Sequence, residues 1–213
     1  MAGLSQATLS AAYDYLHSFA IQDHFWSRWQ DIFGTGASRA LSAEFQRQWQ
    51  RRDFQQLPAI EVGTGPGLGD ANAAYAAETN TICFNTIYFN AAFLEIAPPQ
   101  TIVRLLMEEI GHSIDSRINS QDTPGDEGES FANTVLEIVT SPAEATLIAA
   151  ENDHRLIQLA GRSLEVEKAD SMVLEVTTVT DENDGSATVG RSEEHTSELQ
   201  SHSDLVCRLL LEK

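Results

Sequence analysis

Between Ser5 and Phe33 the apolar residues return at helical spacing, with Leu9, Tyr13, Leu16, Phe19 and Ala20 on one stripe. His24-Phe25-Trp26 and Trp29 continue it, and Gly34-Thr35-Gly36 ends it. Aromatics three apart on such a stripe, Trp26 and Trp29, read as core. Ser38–Phe54 predicts a second helix with Leu41, Phe45 and Trp49 on one face. Leu57–Val62 predicts a short strand entering the loop GTGPGLGDANA. That loop lacks both the Lys-Ser/Thr of a phosphate loop and a G-x-G-x-x-G opening a helix, so it reads as a turn-rich connection. Ala73–Asn90 predicts strands: AAYAA, then TICFN (Thr81–Asn85), then TIYFN. Pro98-Pro99 introduces the most regular helix, from about Thr101 to Asn119. Beyond the loop QDTPGDEG, helices are predicted over Glu129–Val139 and Pro142–Glu151, and RLIQLAGRSLEVEKA alternates like a hairpin.

These elements predict an α+β fold, with a helical N-terminal part and a small sheet packed on the Thr101–Asn119 helix. From Ser171 the chain becomes rich in Val, Thr and Asp, which places a domain boundary near Asp170. The residues beyond it are expected to form an edge strand or a loose extension.

Composition narrows the function classes. A chain of 213 residues with 42% hydrophobic content can bury a sizeable core, and no apolar run approaches a membrane span. Asp and Glu total 32 against 13 Lys and Arg, a net charge of -19. Such a surface repels phosphate backbones, so no nucleic-acid partner is expected, whereas divalent cations are suited to it. Two cysteines, Cys83 and Cys207, cannot build a disulfide scaffold or a Cys-rich zinc cluster. The opening residues show neither the basic nor the apolar region of an N-terminal signal peptide.

The candidate chemistry lies on the Thr101–Asn119 helix. Val103, Leu106, Met107, Ile110 and Ile114 form its apolar stripe, and Glu108 and His112 project together from the opposite side. Two ligands at i and i+4, with an acid following the first, reproduce the zinc helix H-E-x-x-H; here it reads E-E-x-x-H, with Glu109 in the general-base position. Glu127 and Glu129 follow at a Gly-rich loop and are the candidates for a third ligand, Glu129 first. Gly111 beside His112 weakens the helix by about 1 kcal/mol, which calls for a packing or functional reason. Asp115 either orients the free ring nitrogen of His112 or sits on the solvent face, and the second is preferred. The competing reading of the whole face is a solvated one. Cys83 reads as a small buried hydrophobe, His17, His24 and His154 as isolated, and Asp181–Gly185 as an acidic turn.

The segments GDANAAYAAETNTICF and LLMEEIGHSIDSRINSQDTPGDEGESF resemble the N-terminal module of large secreted, mostly cyanobacterial repeat proteins, over about Leu57–Ala169. Glu129-Ser130-Phe131-Ala132 also resembles the ligand-bearing E-x-F-A segment of some lethal-factor-like metallopeptidases. The resemblance implies a divergent zincin-like peptidase domain over residues 1–169. It implies zinc or another divalent ion held by Glu108, His112 and an acid within Asp126–Glu129, with Glu109 catalytic and a peptide or protein as substrate. The first-position histidine of ordinary zincins is absent. Two carboxylates with one imidazole make a harder site, at which manganese competes with zinc. An inactive module, with a structural metal or none, serving as the interaction domain of an adhesin-like protein is the alternative.

LEVTTVTDENDGS resembles the opening of a module that leads into a parallel β-helix, so residues 170–190 read as its truncated start. RSEEHTSELQS, from Arg191, resembles a translated sequencing adapter, and residues 191–213 are read as an artefact. The tail's five acidic and three basic residues leave the remainder strongly acidic without it. The natural chain is then expected to continue past Gly190 into β-rich sequence. The expected location is extracellular or at the cell surface, with any export signal in the missing C-terminal part.

Overall fold

Ser5 opens the first helix by accepting the amide of Thr8 on its side chain, satisfying one of the amides that a helix start leaves unpaired. The computed structural model describes residues 4–63, 68, 71–77, 85–151, 154–159, 162–169, 177–180 and 187–190. The chain divides into two units, Met1–Ala169 and Asp170–Lys213. In the first, α1 (Gln6–Ala20), α2 (Phe25–Phe33) and α3 (Arg39–Gln50) precede β1 (Ala59–Gly63), β2 (Ala73–Ala76) and β3 (Thr86–Asn90). Then come α4 (Ala91–Ile96), α5 (Pro99–Ile118), α6 (Glu127–Val135), α7 (Pro142–Ile148), β4 (His154–Leu159) and β5 (Arg162–Ala169). The architecture is α+β, as the hydrophobic pattern predicts.

The five strands are ordered β1-β3-β2-β5-β4, with β1 and β3 parallel and the other pairs antiparallel. Side chains alternate across this sheet. Ala73, Tyr75, Ile87 and Phe89 join the main core, whereas Ala74, Ala76, Tyr88 and Val166 pack on Leu68 and Ala71. The main core is aromatic at its centre. Trp29 packs against Phe25, Phe33, Phe45 and Trp49, and Phe131 of α6 meets Phe19, Phe33 and Trp49. The indole N–H of Trp29 donates to Ser42 Oγ at 3.0 Å, which removes the cost of burying it. Trp26 lies at the edge of this core, under the Arg39 guanidinium.

Several elements differ from expectation. The continuous N-terminal stripe is two helices, because the chain turns at Ile21–His24 between α1 and α2. A short helix, α4, capped by the Asn90 side chain, fills the stretch before Pro98. Of the expected strand Thr81–Asn85, residues 81–84 lie outside the described residues and Asn85 is not in a strand. In the second unit β6 (Thr177–Thr180) and β7 (Ala187–Gly190) pair antiparallel as a sheet of their own, rather than as an edge strand or loose extension. Cys83, Asp181–Gly185 and the tail, including Leu205, Leu209 and Leu210, lie outside the described residues.

Helix α5 runs through the middle of the first unit. Pro99 occupies its first turn, where a missing N–H costs nothing, and every residue from Ile102 to Asp115 is buried. The face opposite the apolar stripe is therefore covered, not solvated. Helix α6 lies against α5 at two glycines. A Cβ built on Gly111 would fall 2.7 Å from Gly128 Cα and 2.9 Å from Phe131 Cβ. One built on Gly128 would fall 2.5 Å from His112 Cε1 and 2.7 Å from the Glu108 carbonyl oxygen. In an ordinary helix Gly111→Ala would gain about 1 kcal/mol. Here it is expected to lose about 1–3 kcal/mol, because the added methyl meets backbone that cannot give. Urea unfolding of the variant measures the sign.

Candidate metal centre

Five polar side chains of α5 are buried in succession along the face turned to α6 and the sheet: Arg104, Glu108, Glu109, His112 and Asp115. The N-terminus of α6 meets them. Asp126 caps it, its Oδ1 accepting the Glu129 amide at 2.6 Å, and Glu127 and Glu129 stand in the first turn. Carboxylates are favoured there by the helix dipole, which is the local reason for an acidic run at this point. Glu167 of β5 arrives from the sheet. Its neighbour Val166 faces the second cluster, so strand alternation turns Glu167 towards α5.

His112 is the centre of the arrangement and has no exposed surface. Its Nδ1 lies 2.9 Å from Glu127 Oε1 and 3.2 Å from Glu167 Oε2. A carboxylate can only accept, so Nδ1 carries the proton and donates it to Glu127. The opposite nitrogen, Nε2, lies 3.9 Å from Asp126 Oδ1. One donor atom each from Glu108, His112 and Asp126 falls within 4.8 Å of the other two.

Of the residues singled out in the sequence, Glu108 and His112 are brought together with Asp126. Glu127 meets the imidazole at Nδ1 and orients the ring, and with His112 and Glu167 it forms a second group whose donor atoms lie within 4.8 Å of one another. Glu129 is held by Arg104, whose Nη2 donates to its Oε1 at 2.6 Å while Nη1 reaches Glu108 Oε2 at 3.4 Å. Glu109 is fully buried on the same helix, close enough for its charge to act on Glu108. Asp115 is buried rather than solvated. It accepts the Thr123 amide at 3.2 Å and the Asn119 side chain at 2.7 Å, and so ties down the loop after α5. His154 is not isolated, because β4–β5 register sets it beside Glu167 and its Nε2 lies 3.2 Å from Asp122.

Arg104 and Glu167 were missing from the candidate set, and both had a signal. Arg104 precedes Glu108 by one helical turn, the spacing of an ion pair. Glu167 falls on the face of β5 opposite Val166.

The charges do not balance. Among the described residues Glu108, Glu109, Asp126, Glu127, Glu129 and Glu167 gather around two cations, Arg104 and His112. Buried carboxylates in excess must take up protons or hold a cation. Burial pushes Glu108 well above its ordinary 4.5, against the pull of Arg104 and with the push of Asp126, Glu129 and Glu109. Burial also raises Glu127 and Glu129, opposed by His112 and Arg104 respectively. For His112 burial disfavours the charged ring, but the hydrogen bond and charge of Glu127, with Asp126 and Glu167, outweigh it and hold the pKa well above 6.5.

The residues fit a divalent ion on two counts. The imidazole is held by a carboxylate on Nδ1 and has Nε2 on the side of Asp126, the orientation that metal-binding histidines use, with Glu108 in the same group. The surplus of buried negative charge is what a divalent cation offsets. Asp126 and Glu127 also line a cavity of about 340 Å³ with Asp31, Ser130 and Asn133, so the acidic end of the site is reachable.

Comparison with protein-family models, curated proteins and solved structures found no match. Among the described residues no helix is long and apolar enough to cross a membrane.

The raised pKa values set a pH dependence. With a chelator present, the native state binds more protons than the unfolded chain above pH 4.5, the ordinary value for the carboxyls. Stability therefore falls as pH rises from there. The His112 contribution is complete below 6.5 and is lost as pH climbs through its higher folded value. Urea unfolding at pH 5 and pH 8 is expected to show the lower midpoint at pH 8. A saturating divalent ion should shrink or reverse the difference, since its ligands must be deprotonated to bind.

Proposed function

We propose that the Met1–Ala169 unit is a zincin-like domain that holds one divalent cation, zinc foremost, at Glu108, His112 and Asp126, and that hydrolyses peptide bonds with it. The observation that carries this reading is the His112 ring, clasped by Glu127 on Nδ1, with Nε2 towards Asp126 and donor atoms of His112, Asp126 and Glu108 within 4.8 Å of one another. Bound there, the ion would supply Lewis acidity to a scissile carbonyl. Glu108 and Asp126 would bring negative charge to it, and Glu127 would keep the imidazole in the tautomer that leaves Nε2 as donor. Glu109, beside Glu108 on the same helix, would take a proton from the attacking water. The acidic chain and the resemblance in the E-E-x-x-H to GDEG segment support an exported, peptide-directed role.

A second reading has its own observation. Glu108, Glu109 and His112 are at most 2% exposed, so the centre is closed to a peptide in this conformation. The ion would then serve stability alone.

Equilibrium dialysis against zinc is expected to give one ion per chain, lost in His112→Ala and weakened about 10–100-fold in Glu127→Gln. Glu109→Gln should keep the ion and lower peptide hydrolysis about 10²–10⁴-fold. Zinc binding without hydrolysis in the wild type would leave the second reading, and absence of binding would defeat both.

A further inference from the structure

Arg104 is a buried cation beside the proposed centre. Its side chain is 6% exposed, and its two terminal nitrogens reach two different carboxylates. One is Glu108, a ligand candidate. The other is Glu129, which stands one turn into α6, with a carboxylate oxygen within 4.8 Å of a donor atom of Asp126. Without Arg104, Glu129 would keep its hydrogen bond from Asn133 but lose the cation that holds it, and Glu108 Oε2 would lose its partner, so both carboxylates could turn to a cation next to Asp126.

We infer that Arg104 sets the metal specificity of the centre by withholding oxygen donors from it; this rests on the metal-centre reading above. The guanidinium bond at 2.6 Å occupies Glu129 Oε1, and the contact at 3.4 Å engages Glu108 Oε2. What remains is a small set of one nitrogen and single carboxylate oxygens. Such a set suits zinc, which is satisfied by three or four ligands. Calcium needs six to eight oxygens, and manganese favours oxygen-rich octahedra, so both are disfavoured. The fixed positive charge also lowers the total attraction for any cation. A small, strongly bonding ion tolerates that loss better than a large one held by charge alone. Arg104 is thus a specificity-determining residue that does not itself bind the ion.

The test measures zinc, manganese and calcium affinities by competition with a chromophoric chelator at fixed pH. The chains compared are the wild type, Arg104→Met, Glu129→Gln and the double variant. Arg104→Met is expected to narrow the zinc-over-manganese preference by about tenfold or more and to bring in measurable calcium binding. Adding Glu129→Gln to that variant should remove the gain, because the gain comes from the freed carboxylate. Glu129→Gln alone should leave zinc affinity within about threefold, since Glu129 is not a ligand while Arg104 holds it. That single variant keeps the test decisive if Arg104→Met fails to fold. Loss of zinc affinity by about 100-fold in Glu129→Gln would overturn the inference by making Glu129 a ligand. Equal weakening of all three ions in Arg104→Met would overturn it by making Arg104 merely structural. In both cases wild-type zinc binding would survive, so the centre itself would stand. A wild type that binds none of the three ions would remove the centre and the inference together.

Discussion

The close approach of α5 and α6 at Gly111 and Gly128 is the contact on which the rest of the unit depends. Two helices normally keep their axes 8–10 Å apart because side chains intervene. With hydrogens in place of side chains at both positions, the backbone of Gly128 lies directly against the His112 ring. That contact presses the first turn of α6 onto the polar face of α5. Asp126, Glu127 and Glu129 thereby enter a space that is already closed by the sheet. Phe131, one turn further along α6, anchors the same helix in the aromatic core with Phe19, Phe33 and Trp49. Core packing and site assembly are therefore one event. A change that loosens the helix pair would release the carboxylates as well as the aromatics.

Electrostatics works against that packing. Five carboxylates are buried and a sixth, Glu167, is partly buried around Arg104 and His112 among the described residues, and the raised pKa values of Glu108, Glu127 and Glu129 express the cost of that burial. The aromatic core and the helix contacts hold the site shut despite it. A bound cation would relieve the same repulsion, so metal affinity and fold stability are coupled through one set of residues. The centre is in this sense prestrained in charge rather than in backbone.

The sequence pattern reached different depths in different places. The position of α5, the i and i+4 relation of Glu108 and His112, and the significance of Gly111 follow from helical periodicity and from the cost of a glycine inside a helix. The choice among Asp126, Glu127 and Glu129 does not. Those residues lie within one turn, so their roles depend on how α6 is rotated about its axis, and that rotation is fixed only by Gly128 against His112. Asp126 is also a helix cap, a role that explains it locally and hides its second use. Arg104 was legible as half of an i,i+4 ion pair, but its bond to Glu129 joins residues 25 apart and exists only in the folded chain. Glu167 depends on the same kind of information, since the register of β5 on β2 brings it over His112.

Nitrogen-15 spectroscopy of the His112 ring, recorded while zinc is titrated into the domain at neutral pH, examines this account at its centre. Before zinc is added, Nδ1 is expected to carry its proton, in keeping with the clasp by Glu127 and Glu167. At one equivalent Nε2 should shift to the position of a metal-bound nitrogen while Nδ1 keeps its proton and its hydrogen bond to Glu127. Coordination through Nδ1, or a ring that does not respond to zinc, would contradict the arrangement of Glu108, His112 and Asp126 as a metal centre.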